Sequence, residues 1–167
     1  YLIEASGQGR ALAALASWAS EVRSWEDPQG VAGAAIGVCL PDANQVQLTR
    51  PLRARSSRWP TLLTRSLGPF LGDRGGALSY PLSFDVGPDG RTYVLDAGNS
   101  RVVVFDAEDR YLTEWGGRGS GPGQFDLGDG APLRDRGFNF AGSIAVDDEG
   151  FIYVADVGNR RIQKFSP

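Results

Sequence analysis

The sequence has no histidine, no methionine and a single cysteine, Cys39. Without histidine, a Ser-His-Asp nucleophile, an imidazole general base and a His-ligated metal are excluded from this chain. One cysteine forms neither an intrachain disulfide nor a cysteine-cluster zinc site. Cys39 lies in the apolar run Ala35-Ile36-Gly37-Val38-Cys39-Leu40 and is read as a buried small hydrophobe, not a reactive thiol. No apolar run approaches the roughly 18 residues of a membrane-spanning helix. Charge of one sign is lacking too. Seventeen basic against twenty acidic residues leave a net charge of −3, so no global field attracts a phosphate backbone and general nucleic-acid binding is not expected.

What the chain does have is turn-forming residues. Gly 23 and Pro 10 in 167 residues, with 41% hydrophobic and 22% charged residues, describe a globular β-rich domain of short strands and many turns. The length suits one well-packed domain. The chain opens on Tyr1, which is compatible with a processed product or an excerpt of a longer protein.

The strongest signal is internal. Residues 84–105 align without a gap on residues 144–165, with Asn99 matched to Asn159 sixty positions later. Each copy parses as three strands: one ending at Val86 or Val146, a second over Thr92–Leu95 or Phe151–Val154, and a third ending at Phe105 or Phe165. Gly87-Pro88-Asp89-Gly90 and Asp147-Asp148-Glu149-Gly150 supply the first turns; Asp96-Ala97-Gly98-Asn99 and Asp156-Val157-Gly158-Asn159 supply the second. In the first copy Tyr111–Trp115 reads as a fourth strand running into Gly116–Phe125. Four short antiparallel strands make one propeller blade.

The phrases Tyr-Val-Leu-Asp-Ala-Gly-Asn-Ser-Arg-Val (93–102), Tyr-Val-Ala-Asp-Val-Gly-Asn-Arg-Arg-Ile (153–162) and Gly-Ser-Gly-Pro-Gly-Gln-Phe (119–125) resemble the NHL-repeat family of β-propellers. The resemblance covers about residues 80–167 and implies an NHL blade at 80–125, a second at 142–167, and Gly116–Phe125 as the crossover between them. The family's repeat is shorter than 60 residues, so 126–141 is expected to be a loop insertion. Tyr1–Ala5 is similar to Tyr111–Trp115; residues 1–9 are therefore expected to supply an outer strand to the last blade, as termini commonly do in this family.

The N-terminal half fits less well. Residues 31–79 are read as a degenerate blade and crossover, with strands at Ala34–Val38, Gln45–Thr49, Arg53–Arg55 and Leu62–Arg65. In this reading Pro41-Asp42-Ala43-Asn44 matches the first turn of the later copies. Leu12, Leu15, Trp18, Val22 and Trp25 fall at helical spacing, and Asp27-Pro28 ends the run, so residues 10–30 are expected to hold an inserted amphipathic helix. The expected architecture is thus all-β with one inserted helix, about three blades, a partial or half propeller.

Asp96, Gly98, Asn99 and Arg101, repeated as Asp156, Gly158, Asn159 and Arg161, are read as structural turn residues. Glycine is expected to take a positive φ, the Asp or Asn side chain to cap turn amides, and each Arg to pair with the preceding Asp. A unique active site does not recur in successive blades, so no catalytic and no metal-binding residue is assigned and no cofactor is expected. Gly116–Gly123 lacks the Gly-Lys-Ser/Thr ending of a phosphate loop. The acidic set Asp126, Asp129, Asp135, Asp147 and Asp148 matches no calcium-loop spacing and is read as solvated. Trp18 and Trp25 on the helix, with Arg53, Arg55 and Trp59 in the one basic cluster, are candidate partner contacts.

Three blades do not close a propeller, which takes about four to eight. The expected function is a non-catalytic protein-interaction or scaffold module, an accessory subunit or half-propeller completed by a protein partner or by a second copy. Peripheral association with a membrane complex fits the same reading. The alternative is a fragment of a larger NHL propeller, serving as a ligand-binding sensor domain or as an enzyme like the amidating lyases, whose metal-holding histidines have no counterpart here.

Overall fold

The computed structural model describes residues 21–26, 34–52, 61–67, 75–132 and 138–167, and these form antiparallel β-sheet. The first sheet consists of β1 (Glu21–Glu26), β2 (Ala34–Leu40), β3 (Gln45–Leu52) and β4 (Thr61–Leu67) in that order. The second has β5 (Pro81–Val86), β6 (Thr92–Asp96), β7 (Arg101–Phe105) and β8 (Tyr111–Gly116). A two-stranded hairpin follows, β9 (Gly128–Pro132) with β10 (Phe138–Phe140). The third sheet then runs β11 (Gly142–Val146), β12 (Ile152–Asp156) and β13 (Arg161–Phe165).

The second sheet is packed on both faces, which its residue pattern explains. Val94 on β6 and Val103 and Phe105 on β7 join Phe84 and Leu78 in one core with Cys39, Val46, Leu48 and Leu67 of the first sheet. Their alternates Tyr93, Leu95, Val102 and Val104 form a second core with Phe125, Leu127, Ile144, Ile152 and Val154 on the side of the third sheet. A strand covered on both faces reads as a continuous apolar run, and Tyr-Val-Leu and Val-Val-Val-Phe are such runs. Beside this second core, Ser83 Oγ accepts the Ile144 amide at 3.1 Å and Asp85 Oδ2 accepts the Val146 amide at 2.8 Å. The edge strand of the third sheet is thereby pinned to β5.

Two expectations for the N-terminal half fail. Residues 21–26 are strand β1, not the end of a helix; the rest of the expected helix, with Trp18, lies outside the described residues. Trp25 pairs with Ala35 in the β1–β2 ladder and Val22 with Val38. Six cross-strand pairings with β2 outweigh a weak helical spacing in a segment containing Val, Trp and Ser. The strand count in the first sheet shifts accordingly. Ala34–Leu40 is its second strand, Gln45–Leu52 its third, and Arg53–Arg55 lie outside the described residues. The Pro41–Asn44 turn therefore occupies the place of Ala97–Ser100, not of Gly87–Gly90. Asn44, Ser100 and Arg160 mark the equivalence, each closing its turn in a left-handed conformation with φ of 52°, 52° and 53°.

Within 126–141, expected as a loop, the β9–β10 hairpin places Phe140 against Tyr80, ring centroids 4.8 Å apart. Gly128 permits the close pairing: with φ of 112°, it passes so near the Asn139 carbonyl that a Cβ would overlap it. Tyr1–Ala5 lie outside the described residues.

Candidate functional site

The repeated turn residues build two clasps. In the second sheet Asp96 Oδ1 accepts the Ser79 amide at 2.6 Å, while Oδ2 accepts Asn99 Nδ2 at 2.8 Å and Arg101 Nε at 2.9 Å. Arg101 also donates to Glu114 Oε1 at 2.7 Å and to the Ala77 carbonyl. In the third sheet Asp156 Oδ1 accepts the Asp126 amide at 2.8 Å, and Oδ2 accepts Asn159 Nδ2 at 2.9 Å and Arg161 Nε at 2.8 Å. Both carboxylates have no exposed side-chain surface. A buried carboxylate persists only with such a set of donors.

Each clasp thus holds the segment that enters its own sheet. The third sheet holds it most fully: Arg161 donates to the Ser120, Gly121 and Gln124 carbonyls, Asn159 to Gly119, and Gln163 exchanges bonds with Gln124 and Gly123. The ring of Phe125 is locked beneath, 6.0 Å from Phe165. In the first sheet Leu40 stands opposite Gln45, where Asp96 faces Arg101 and Asp156 faces Arg161. Asn44 instead reaches the segment entering the second sheet, its Oδ1 accepting the Tyr80 amide at 2.7 Å.

The glycines act differently from expectation. Gly98 and Gly158 are not among the residues with positive φ; that conformation falls on Ser100 and Arg160, one and two positions after the Asn and Gly. Glycine is required by close approach instead. A Cβ on Gly98 would come within 2.4 Å of Ser79 Oγ and 2.6 Å of its carbonyl, and on Gly158 within 2.5 Å of the Asp126 carbonyl. Each glycine amide donates to that same carbonyl. The aspartates likewise bond the entering segment and not the turn's own amides.

Similar as they are, the clasps differ electrically. Burial raises the Asp96 carboxyl above its ordinary value, with the bonds from Asn99, Ser79 and Arg101 offsetting only part. At Asp156 burial acts in the same direction, but the bonds from Asn159, the Asp126 amide and Arg161 outweigh it and the carboxyl is lowered. Asp96 lies between two stacked sheets, whereas the third sheet has a neighbour on one face only among the described residues.

That second face is the principal candidate surface. Ser143, Ala145, Tyr153, Ala155, Ile162 and Lys164 occupy it by strand register. Their repeat equivalents Ser83, Tyr93, Leu95, Val102 and Val104 are buried under the third sheet. Ile162 is 72% exposed where Val102 is 0%, and Val157 is 50% exposed where Ala97 is 1%. Lys164 does not put its charge in the middle of this face, since Nζ sits 3.8 Å above the Phe151 ring and 5.0 Å from the Tyr153 ring. Tyr153 in turn donates to Asp147 Oδ2 at 2.9 Å.

The partner-contact candidates of the N-terminal half fall almost wholly outside the described residues. Trp18, Arg53, Arg55 and Trp59 lie outside the described residues, and Trp25 is placed only as a backbone position in β1. Asp147 is engaged in its own turn, accepting the Glu149 and Phe151 amides; Asp126 and Asp129 bond the amides and side chains of the hairpin segment. Among the described residues no group of three or more His, Cys, Asp or Glu is placed to hold a metal ion, and no helix is long and apolar enough to cross a membrane. Sequence reasoning did not single out Ile162; the alignment gives its equivalence to Val102, and only the stacking order shows which of the two is covered.

No curated protein matches the chain. The family model described as NHL repeat matches residues 138–165, the segment that forms β10 to β13 and carries Asp156, Asn159 and Arg161.

Proposed function

We propose that this chain is a non-catalytic protein-interaction module whose three stacked sheets are successive blades of an NHL-type β-propeller, and whose partner covers the outer face of the third sheet. One observation carries the reading: positions that the repeat buries in the second sheet stand open in the third, Ile162 against Val102 foremost. An exposed aliphatic patch framed by polar residues is a protein-contact surface before it is anything else. The clasps support the same role. They fix the entering segments with backbone and side-chain bonds and pair each buried aspartate with its arginine, which suits a rigid scaffold and not a reacting centre. The absence of histidine from the sequence agrees with this. As an accessory subunit the chain would present a preformed face at little ordering cost.

The native particle tests it. Its mass should exceed that of one chain, and amides of residues 153–165 should exchange more slowly in it than in the isolated chain. A native particle of single-chain mass, with no such slowing, overturns the reading.

A further inference from the structure

The identity of the object on the third sheet can be argued from the contact the molecule already makes. Where the second sheet's corresponding face is covered, the cover is another sheet of the same kind. Its edge strand β11 gives the Ile144 and Val146 amides to Ser83 and Asp85, and its apolar residues fill the core over Leu95 and Val102. The third sheet repeats the acceptor as Ser143 and the apolar positions as Ala155 and Ile162. A sheet of that kind with an edge strand to offer is present in the chain itself. β1 pairs only with β2 among the described residues, as β11 pairs only with β12, so neither uses its second edge for a strand pairing there. On β3, Val46 and Leu48 are buried toward the second sheet, while Gln45 and Gln47 alternate with them and are half-buried. The amides of Gln45 and Gln47 are neutral groups able to meet Ser143 and Tyr153 without burying an unpaired charge.

Building on the protein-interaction reading above, we propose that the occupant is a second copy of this chain, its first sheet docking on the outer face of the third sheet. The contact is head-to-tail, and the same contact made twice about a two-fold axis closes a ring of six blades, within the size range of propellers. Closure covers both end sheets at once. Ile162 is then the buried anchor, and Ser143 takes an amide from β1 of the other copy.

Sedimentation equilibrium of the purified chain tests this without any other protein present. The expected result is a reversible particle of twice 17.9 kDa. Ile162→Arg should weaken it by about tenfold or more, the effect of losing one buried aliphatic anchor, with an unchanged circular dichroism spectrum because Ile162 is exposed in the single chain. Ser143→Ala should weaken it severalfold. A chain that stays monomeric at high concentration, or a dimer indifferent to both substitutions, overturns the proposal. It would leave the interaction reading intact, since a different protein could still cover the face in the native particle.

Discussion

The side-chain oxygen of Asn44 accepts the backbone N–H of Tyr80 at 2.7 Å, 36 residues along the chain. Asp96 makes the same bond to Ser79, and Asp156 to Asp126, at 2.6 and 2.8 Å. Asn44 does so from a different place in its turn, at the left-handed position that Ser100 and Arg160 occupy elsewhere. The first sheet has thus lost the Asp–Arg pair, leaving Leu40 opposite Gln45, yet keeps one bond that ties it to the segment entering the next sheet.

Asn44→Ala should therefore lower stability by about 1–3 kcal/mol, combining loss of this acceptor with a left-handed conformation that alanine tolerates poorly. Asn44→Asp keeps the acceptor and much of the conformational tolerance, so it should retain most of the stability. Urea unfolding of the two variants beside the parent chain checks the order.

That substitution pattern also shows what was legible in the sequence. The strands of residues 81–116 and 142–165 could be read from two aligned copies, because Asp, Gly, Asn and Arg recur at fixed offsets around β-rich triplets. The first sheet was legible as a blade with its fourth strand in place, but with the strands at Ala34–Leu40 and Gln45–Leu52 each counted one too early. Leu40 and Gln45 replace the two residues that mark the turn, and Pro41-Asp42 mimics a different one. β1 could not be read at all, since Val22 and Trp25 satisfy a helical spacing and only pairing with β2 decides between the two. The open face needed the stacking order, for Ile162 and Val102 are both simply strand residues until one is covered and the other is not.

Arg161 holds the largest share of the crossover, bonding three of its carbonyls and Asp156. Arg161→Ala should cost about 3–5 kcal/mol, because it strips the buried Asp156 carboxylate of its cation as well as freeing the loop. Arg161→Lys restores the charge but not the planar fork, so it should recover only part of the loss. Thermal unfolding reads the ranking, and accelerated amide exchange at Gly119 and Phe125, both bonded within the crossover, should accompany both variants.

Acid should separate the two clasps. A carboxyl lowered by folding contributes stability that is present above its ordinary value of 3.8 and lost as pH falls through the still lower folded value; Asp156 is such a group. Asp96 is raised, so its ionisation costs stability as pH rises through its folded value, and protonation in the window down to 3.8 relieves that cost. The third sheet is therefore expected to loosen before the second as pH falls below about 3.8. Carboxyl chemical shifts from carbon NMR should show Asp156 titrating below Asp96. In Asp156→Asn the acid-induced loss of the Asp126 amide's protection should flatten, and equal sensitivity of both clasps would contradict the assignment.

The glycines of the clasps offer a test of close approach against backbone conformation. Neither Gly98 nor Gly158 has a positive φ, so an alanine meets no conformational penalty there, only the neighbouring chain. At Gly158 the new methyl would lie 2.5 Å from both the carbonyl oxygen and the Cγ of Asp126. Relieving that overlap moves the segment that Asp156 and the Gly158 amide both hold, since the amide donates to the Asp126 carbonyl at 2.9 Å. Gly158→Ala should therefore lose about 1–3 kcal/mol, the usual cost of forcing an extra methyl into a packed site. Val157→Ala, one residue earlier on a side chain that is 50% exposed, should change stability by no more than about 0.5 kcal/mol. Were the glycine needed for its φ, D-alanine introduced at 158 by chemical synthesis would be accepted where L-alanine is not. Close approach predicts that L-alanine disturbs the turn by contact with Asp126, so the Asp126 amide resonance should shift in Gly158→Ala and stay in place in Val157→Ala.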